Sequence, residues 1–143
     1  MTLASLPVPV PTVTEDTREF WEGLIRSRFL LPRCDRCATW VWYPRRFCPA
    51  CGSLDTSWKE ATGRGSIYSY TVVRKSGLPG WSEAVPYVIA YVELDEGPRV
   101  MSNIVGCEPH SLTIGSRVSV VMPTDEEGHA LFRFQLQGEP PQQ

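Results

Sequence analysis

The sequence predicts a mainly β chain, led by a short helix and a cysteine-rich unit and ending in a small five-stranded barrel. Three observations carry that prediction. Phe20, Trp21, Leu24 and Ile25 recur at helical spacing ahead of the cysteines. Two Cys-x-x-Cys pairs, Cys34/Cys37 and Cys48/Cys51, stand ten residues apart. From Ser66 onward the apolar pattern switches to a period of two, in five short runs separated by turn residues.

The elements follow in order. Residues 1–13, rich in Pro and Val and without periodicity, read as an extended arm. Residues 14–31 form the helical segment. Thr14 is placed to cap it, Glu15 and Asp16 suit the positive end of the helix dipole, and Pro32 sets its limit. The stripe of Phe20, Trp21, Leu24 and Ile25 has to bury against something. The cover is either the domain's own core or a partner subunit, and since nothing N-terminal to it supplies a core, the partner subunit is the favoured expectation.

Residues 32–60 are the cysteine unit and its outgoing connection. Each Cys-x-x-Cys makes a tight knuckle, and two knuckles converge four thiolates on one metal. That is the closed tetrahedral set that zinc takes in structural sites, with no position left for a catalytic water. Iron can occupy the same ligands, whereas a redox dithiol is poorly supported because all four sulfurs are committed. Gly52 follows the second knuckle, but Ala38 follows the first, so that turn forms without glycine.

Residues 61–137 hold the barrel. Strands are expected over 66–74, 87–94, 100–105, 116–122 and 130–136, with a loop over 75–85 and a hairpin turn at 95–98. Short strands of this kind make a small barrel or a sandwich, and five of them fit the partly open oligonucleotide/oligosaccharide-binding (OB) barrel. Residues 138–143 read as a disordered tail.

Composition narrows the function. The chain has 143 residues and a net charge of −2, a balance that argues against nucleic acid as a partner. Its middle is basic, with seven Lys or Arg against two acids from Arg26 to Lys59. No apolar run reaches the ~20 residues of a membrane-spanning helix, and the N-terminus lacks the basic region of a secretory signal. A cytoplasmic location is expected, where clustered cysteines bind metal rather than pair. Cys107 and His110 lie close in sequence but read as a small half-buried thiol beside a turn rather than a catalytic pair, and His129 reads as solvated in an acidic turn. Trp40, Trp42, Trp58 and Trp81 read first as core or interface. Tyr68, Tyr70 and Tyr87 would be the base-stacking platforms if the chain bound nucleic acid after all.

Several blocks occur in a telling order. Phe20-Trp21-Glu22-Gly23 precedes Pro32-Arg33-Cys34-x2-Cys37. Tyr43-Pro44-Arg45-Arg46-Phe47-Cys48-Pro49-Ala50-Cys51-Gly52 follows, then Gly63-Arg64-Gly65-Ser66-Ile67-Tyr68-Ser69-Tyr70-Thr71-Val72, and late in the chain Ile114-Gly115-x2-Val118. Over about residues 14–137 this resembles the DUF35 family, with Ala38 standing where the family often has glycine. The resemblance implies an N-terminal helical segment, a rubredoxin-like zinc ribbon and an OB-fold barrel. It also implies a non-catalytic accessory subunit that helps bind or channel acyl-CoA. Its partner would be a thiolase-fold enzyme (thiolase, synthase or steroid side-chain aldolase) or a MaoC-like, hot-dog-fold hydratase. For such a role Arg45, Arg46, Arg74 and Lys75 are the candidate phosphate contacts, and Trp81 is the candidate stacking face.

Overall fold

The computed structural model describes residues 6–138. Residues 1–5 of the expected arm and 139–143 of the expected tail lie outside the described residues. Helix α1 spans Arg18–Ile25. Strands β1 (Leu30–Cys34) and β2 (Thr56–Glu60) form a separate antiparallel pair. Strands β3 (Arg64–Val73), β4 (Tyr87–Leu94), β5 (Arg99–Ile104), β6 (Arg117–Val121) and β7 (Arg133–Leu136) close a barrel in the order β3-β4-β5-β7-β6.

The helix is shorter than the sequence predicts, and its start differs too. Thr14 does not cap it. Instead Thr14 and Thr17 close a turn on each other, with the Thr17 N–H bonded to the Thr14 carbonyl, and α1 begins at the next residue. At the other end the chain reverses five residues before Pro32. Ser27 adopts φ 58°. The Arg28 N–H reaches the Gly23 carbonyl at 2.8 Å, and the Ser27 N–H reaches the Leu24 carbonyl at 3.0 Å. This pair of bonds is a Schellman cap, normally built on glycine. Gly23 permits the close return, since a Cβ there would lie 2.9 Å from the Arg28 carbonyl oxygen. Leu30 and Leu31 are then free to start a strand.

The cover for the helix comes from the chain itself, which corrects the expectation that Phe20 and Leu24 face a partner. Phe20 is fully buried and Leu24 nearly so. Phe20 makes edge-on contacts with Trp21, Phe29, Trp42, Tyr43 and Phe132, with ring centroids 4.9–6.3 Å apart. Helix, ribbon and barrel thus meet on one aromatic cluster, continuous with the barrel core of Ile67, Val88, Val92, Val100, Ile104 and Phe134. What the sequence could not reveal is that Phe132, more than a hundred residues downstream, completes this seat.

In the barrel, inward residues of β4 alternate as the period of two requires: Val88, Ala90, Val92 and Leu94 are buried. Gly65 lets β3 and β4 approach, because a Cβ there would fall 2.4 Å from the Glu93 carbonyl oxygen. Closure rests on two joints. β3 pairs with β6 over Arg64–Ser66, and β5 meets β7 in parallel at Ile104↔Phe134. Along Met101–Asn103 the far side of β5 has no strand partner among the described residues; there the Ser102 hydroxyl donates to the Phe132 carbonyl at 2.7 Å. Among the described residues no helix is long and apolar enough to cross a membrane.

Candidate functional site

Cys34 ends β1, and Cys37 follows on the turn that β1 leads into. Cys48 and Cys51 sit on the second turn, before β2. Pairing of β1 with β2 from Leu30↔Glu60 to Cys34↔Thr56 brings the two turns together. Backbone bonds repeat in each knuckle: the Ala38 N–H donates to the Cys34 carbonyl at 3.0 Å, and the Gly52 N–H to the Cys48 carbonyl at 2.8 Å.

The four sulfurs all lie within 4.8 Å of one another. Cys34 Sγ is 3.7 Å from Cys51 Sγ, and Cys37 Sγ is 3.5 Å from Cys48 Sγ. A tetrahedron with metal–sulfur bonds of about 2.3 Å has edges of about 3.8 Å, so the donor set and its spacing fit zinc. A hydrogen bond with the Thr39 side chain, at 3.1 Å, pushes the Cys37 thiol down to about 6, toward the thiolate that metal binding requires. Cys34 and Cys48 are buried, whereas Cys37 and Cys51 face outward. The metal would fix the fold of the ribbon and leave no open coordination position.

The candidate ligand-binding residues do not converge. Arg46 is held by acids of the helix approach: its Nε donates to Asp16 at 2.7 Å and its Nη2 to Glu15 at 3.1 Å. Those bonds raise its pKa further. Arg45 is folded back on the Trp42 and Tyr43 carbonyls. Both arginines line a cleft of about 450 Å³ with Glu15, Asp16 and Trp58, and its acids offset the positive charge expected of a phosphate site. Arg74 and Lys75 are exposed at the end of β3, apart from that cleft. Trp81 is half-buried, 5.0 Å from the Tyr87 ring and packed with Leu6, Ala84 and Val105.

Of the candidate partner-facing residues, Ile25 is exposed, and Trp21 is half-buried with its indole N–H donating to the Tyr43 hydroxyl at 2.9 Å. Of the tyrosines considered for base stacking, Tyr87 is buried and the Tyr70 hydroxyl donates to the Leu112 carbonyl. The exposed Tyr68 is already covered by the Arg99 guanidinium, 3.8 Å from its ring centre. This set does not form an open stacking platform.

Cys107 is buried in the barrel core while His110 is exposed, so the thiol belongs to packing. His129 is more engaged than a solvated residue, which corrects that expectation. Its Nδ1 lies 2.8 Å from Asp125, which also accepts the backbone N–H groups of Glu127 and His129. Partial burial works against the charged Asp125 carboxylate, but the bonds from His129 outweigh it and hold the group below the usual carboxylate range.

Sequence reasoning missed Arg133. It is only 1% exposed, on β7 at the rim of an apolar cavity, and its Nη2 donates to the Pro7 carbonyl. Burial lowers its pKa to about 10, so the guanidinium stays charged at neutral pH. A single arginine in a strand reading carries no signal of burial, and only the docking of the arm on the barrel reveals it.

Two family profiles match the chain: the rubredoxin-like zinc ribbon domain of ChsH2 over residues 21–57, and the C-terminal OB-fold domain of ChsH2 over residues 58–122. A DUF35 domain-containing scaffold protein of Methanothermobacter thermautotrophicus is 40% identical over 121 residues, covering 81% of this chain and 88% of the relative. A probable enoyl-CoA hydratase alpha subunit of Thermomonospora curvata is 38% identical over 110 residues; this chain spans about a third (34%) of its length. Among solved structures, one described as an Ltp2–ChsH2(DUF35) aldolase superposes with a TM-score of 0.79 at 34% identity, covering 88% of this chain and 98% of that one. A DUF35 protein from Sulfolobus solfataricus shares the fold, with a TM-score of 0.63 at 16% identity. With its zinc-ribbon ligand set, its closed five-stranded barrel and a 40% identical DUF35 relative covered over 88% of its length, this chain belongs to the DUF35 family.

Proposed function

We propose that this protein is a non-catalytic accessory subunit of an acyl-CoA-processing enzyme of the cytoplasm. The observation that carries the reading is the 34% identical chain of the Ltp2–ChsH2(DUF35) aldolase, 98% of which this chain matches. Relatives named as scaffold proteins and as hydratase alpha subunits support it. The ligand chemistry agrees, because a closed set of four thiolates stabilises a fold and does not activate a substrate.

The partner, in this reading, is a thiolase-fold enzyme or a hot-dog-fold hydratase, which supplies the catalytic residues while this subunit completes the acyl-CoA site. With Phe20 and Leu24 inside the core, the partner contact falls to the exposed apolar residues of helix and ribbon: Ile25, Tyr43, Phe47 and Leu54. With Arg45 and Arg46 engaged internally, Arg74 and Lys75 are the freer candidates for CoA phosphates.

The test is affinity purification of the tagged protein from its native cytosol, with mass spectrometry of what co-purifies and a zinc assay on the same sample. Stoichiometric recovery of a thiolase-like or hydratase protein, with one zinc per chain, is the expected result. Arg74→Ala with Lys75→Ala should then weaken CoA binding by the complex without releasing the partner. Recovery of nucleic acid without any CoA enzyme would sink the reading.

A further inference from the structure

A cavity of about 420 Å³ opens where the barrel ladder is interrupted, between Met101–Asn103 of β5 and Leu131–Arg133. Trp81 and Tyr87 wall one side, Ile89 and Phe132 contribute apolar surface, and Pro9 of the N-terminal arm lies at the rim. The volume is in the range of small-molecule pockets. The polar side chains in the wall are largely committed to the barrel. The Ser102 hydroxyl donates to the Phe132 carbonyl, and the Asn103 amide donates to the Val88 carbonyl at 2.9 Å.

Arg133 is the exception. It is the one charged residue among the described residues lining the cavity, and its Nε and Nη1 are buried with no hydrogen-bond partner among the described residues. A buried cation with unmet donors is costly unless an acceptor of opposite charge reaches it. A guanidinium presents its donors in a planar fork that matches a carboxylate.

We propose that this cavity binds a small amphipathic carboxylate, its hydrocarbon body against Trp81, Tyr87 and Phe132 and its carboxylate on the Nε–Nη2 edge of Arg133, taking the unmet Nε donor and replacing the Pro7 carbonyl at Nη2. A monoanion fits better than a phosphate ester, because a single cation faces it and no second basic side chain lines the wall. Because the guanidinium is almost sealed, seating the carboxylate requires the arm at Pro7–Pro9 to shift outward. The site is independent of the acyl-CoA reading, since it recognises a free acid and needs no partner enzyme.

The experiment follows the Arg Nε–H resonances of the zinc-loaded full chain by ¹⁵N NMR during titration with decanoate and, separately, decan-1-ol. Decanoate should shift the Arg133 signal and bind at least tenfold more tightly than the alcohol. Arg133→Gln should remove that preference. Since a buried arginine can be needed for folding, Leu78→Glu serves as a second variant: Leu78 lines the same cavity and is 62% exposed. It should weaken decanoate at least fivefold more than it weakens decan-1-ol, because the added carboxylate repels only the acid. Equal affinity for acid and alcohol, or a silent Arg133 signal, would overturn the proposal. So would an Arg133 signal that moves only when an acidic partner protein is added.

Discussion

Ala38 and Gly52 occupy equivalent places, each one residue past the second cysteine of its knuckle, and both have a left-handed backbone, with φ of 65° and 78°. A left-handed conformation costs a residue with a Cβ about 1–2 kcal/mol, and the first knuckle bears that cost while the second does not. Ala38→Gly should therefore stabilise the zinc-loaded protein by about 0.5–1 kcal/mol once the greater freedom of glycine in the unfolded chain is counted. Gly52→Ala should destabilise it by about 1 kcal/mol, because space is open there and only the backbone objects. Denaturant midpoints of the two variants check both signs.

The ribbon should depend on its metal. With two sulfur pairs at 3.5 and 3.7 Å, the purified chain should hold one zinc, and a cobalt-loaded sample should show thiolate charge-transfer and tetrahedral d–d absorption. Cys48→Ser, at a buried ligand, should lower zinc affinity more than tenfold, measured by competition with a chromogenic chelator. A variant that keeps wild-type affinity would show that the four cysteines do not form one site.

Phe20 joins the three parts of the molecule, so its removal should be felt throughout. Phe20→Ala should cost about 3–5 kcal/mol in urea unfolding, whereas Ile25→Ala, at an exposed position of the same helix, should change stability by less than about 0.5 kcal/mol. Equal effects at the two positions would contradict the burial of Phe20.

Gly65 tests the barrel. An added Cβ would press on the Glu93 backbone at 2.4 Å, and no flexible side-chain end can yield there. Gly65→Ala should destabilise by about 1–3 kcal/mol. Faster amide exchange in β3 and β4 relative to β1 would locate the damage.

Acid should weaken the barrel through Asp95. Its carboxylate receives two bonds of 2.8 Å from Arg117, which hold its pKa below the ordinary value. The folded pKa lies below the unfolded one, so this contribution is fully present above about pH 4, the range of an unperturbed Asp. It is lost as pH falls through the folded value. The stability gap between wild type and Asp95→Asn should therefore be constant near neutrality and close as pH drops below about 4. Referring each measurement to Asp95→Asn at the same pH cancels the acid release of zinc common to both proteins.

How much of this was legible in the sequence depends on the signal each element carries. Tyr87–Leu94 was readable to the residue, since a run of β-branched and aromatic residues ends at an Asp-Glu-Gly-Pro turn. The four cysteines were readable from spacing alone. β1 and β2 were not: Leu30-Leu31-Pro32 looks like the end of a helix, and Thr56–Glu60 is a mixed polar run. Each is a strand because it pairs with the other across the cysteine unit, which is a long-range cause. The helix end was hidden because its cap uses Ser27 where glycine would have announced it. Arg133 and Phe132 were invisible for a similar reason, since their surroundings are assembled from the arm, the helix and the ribbon.

In the closed barrel β3 and β6 pair with each other over Arg64–Ser66, so the two end strands are joined there. A neighbouring protein can therefore find little main chain to template upon there. The outer flank of β2, Thr56–Glu60, is different: among the described residues it pairs only with β1. The charged and exposed Lys59 and Glu60 stand at its end, where such residues discourage stray strand pairing and fibre growth. Main chain is thus offered to a neighbour in two places among the described residues, the outer flank of β2 in the ribbon and the Met101–Asn103 stretch of β5 where the barrel ladder is interrupted.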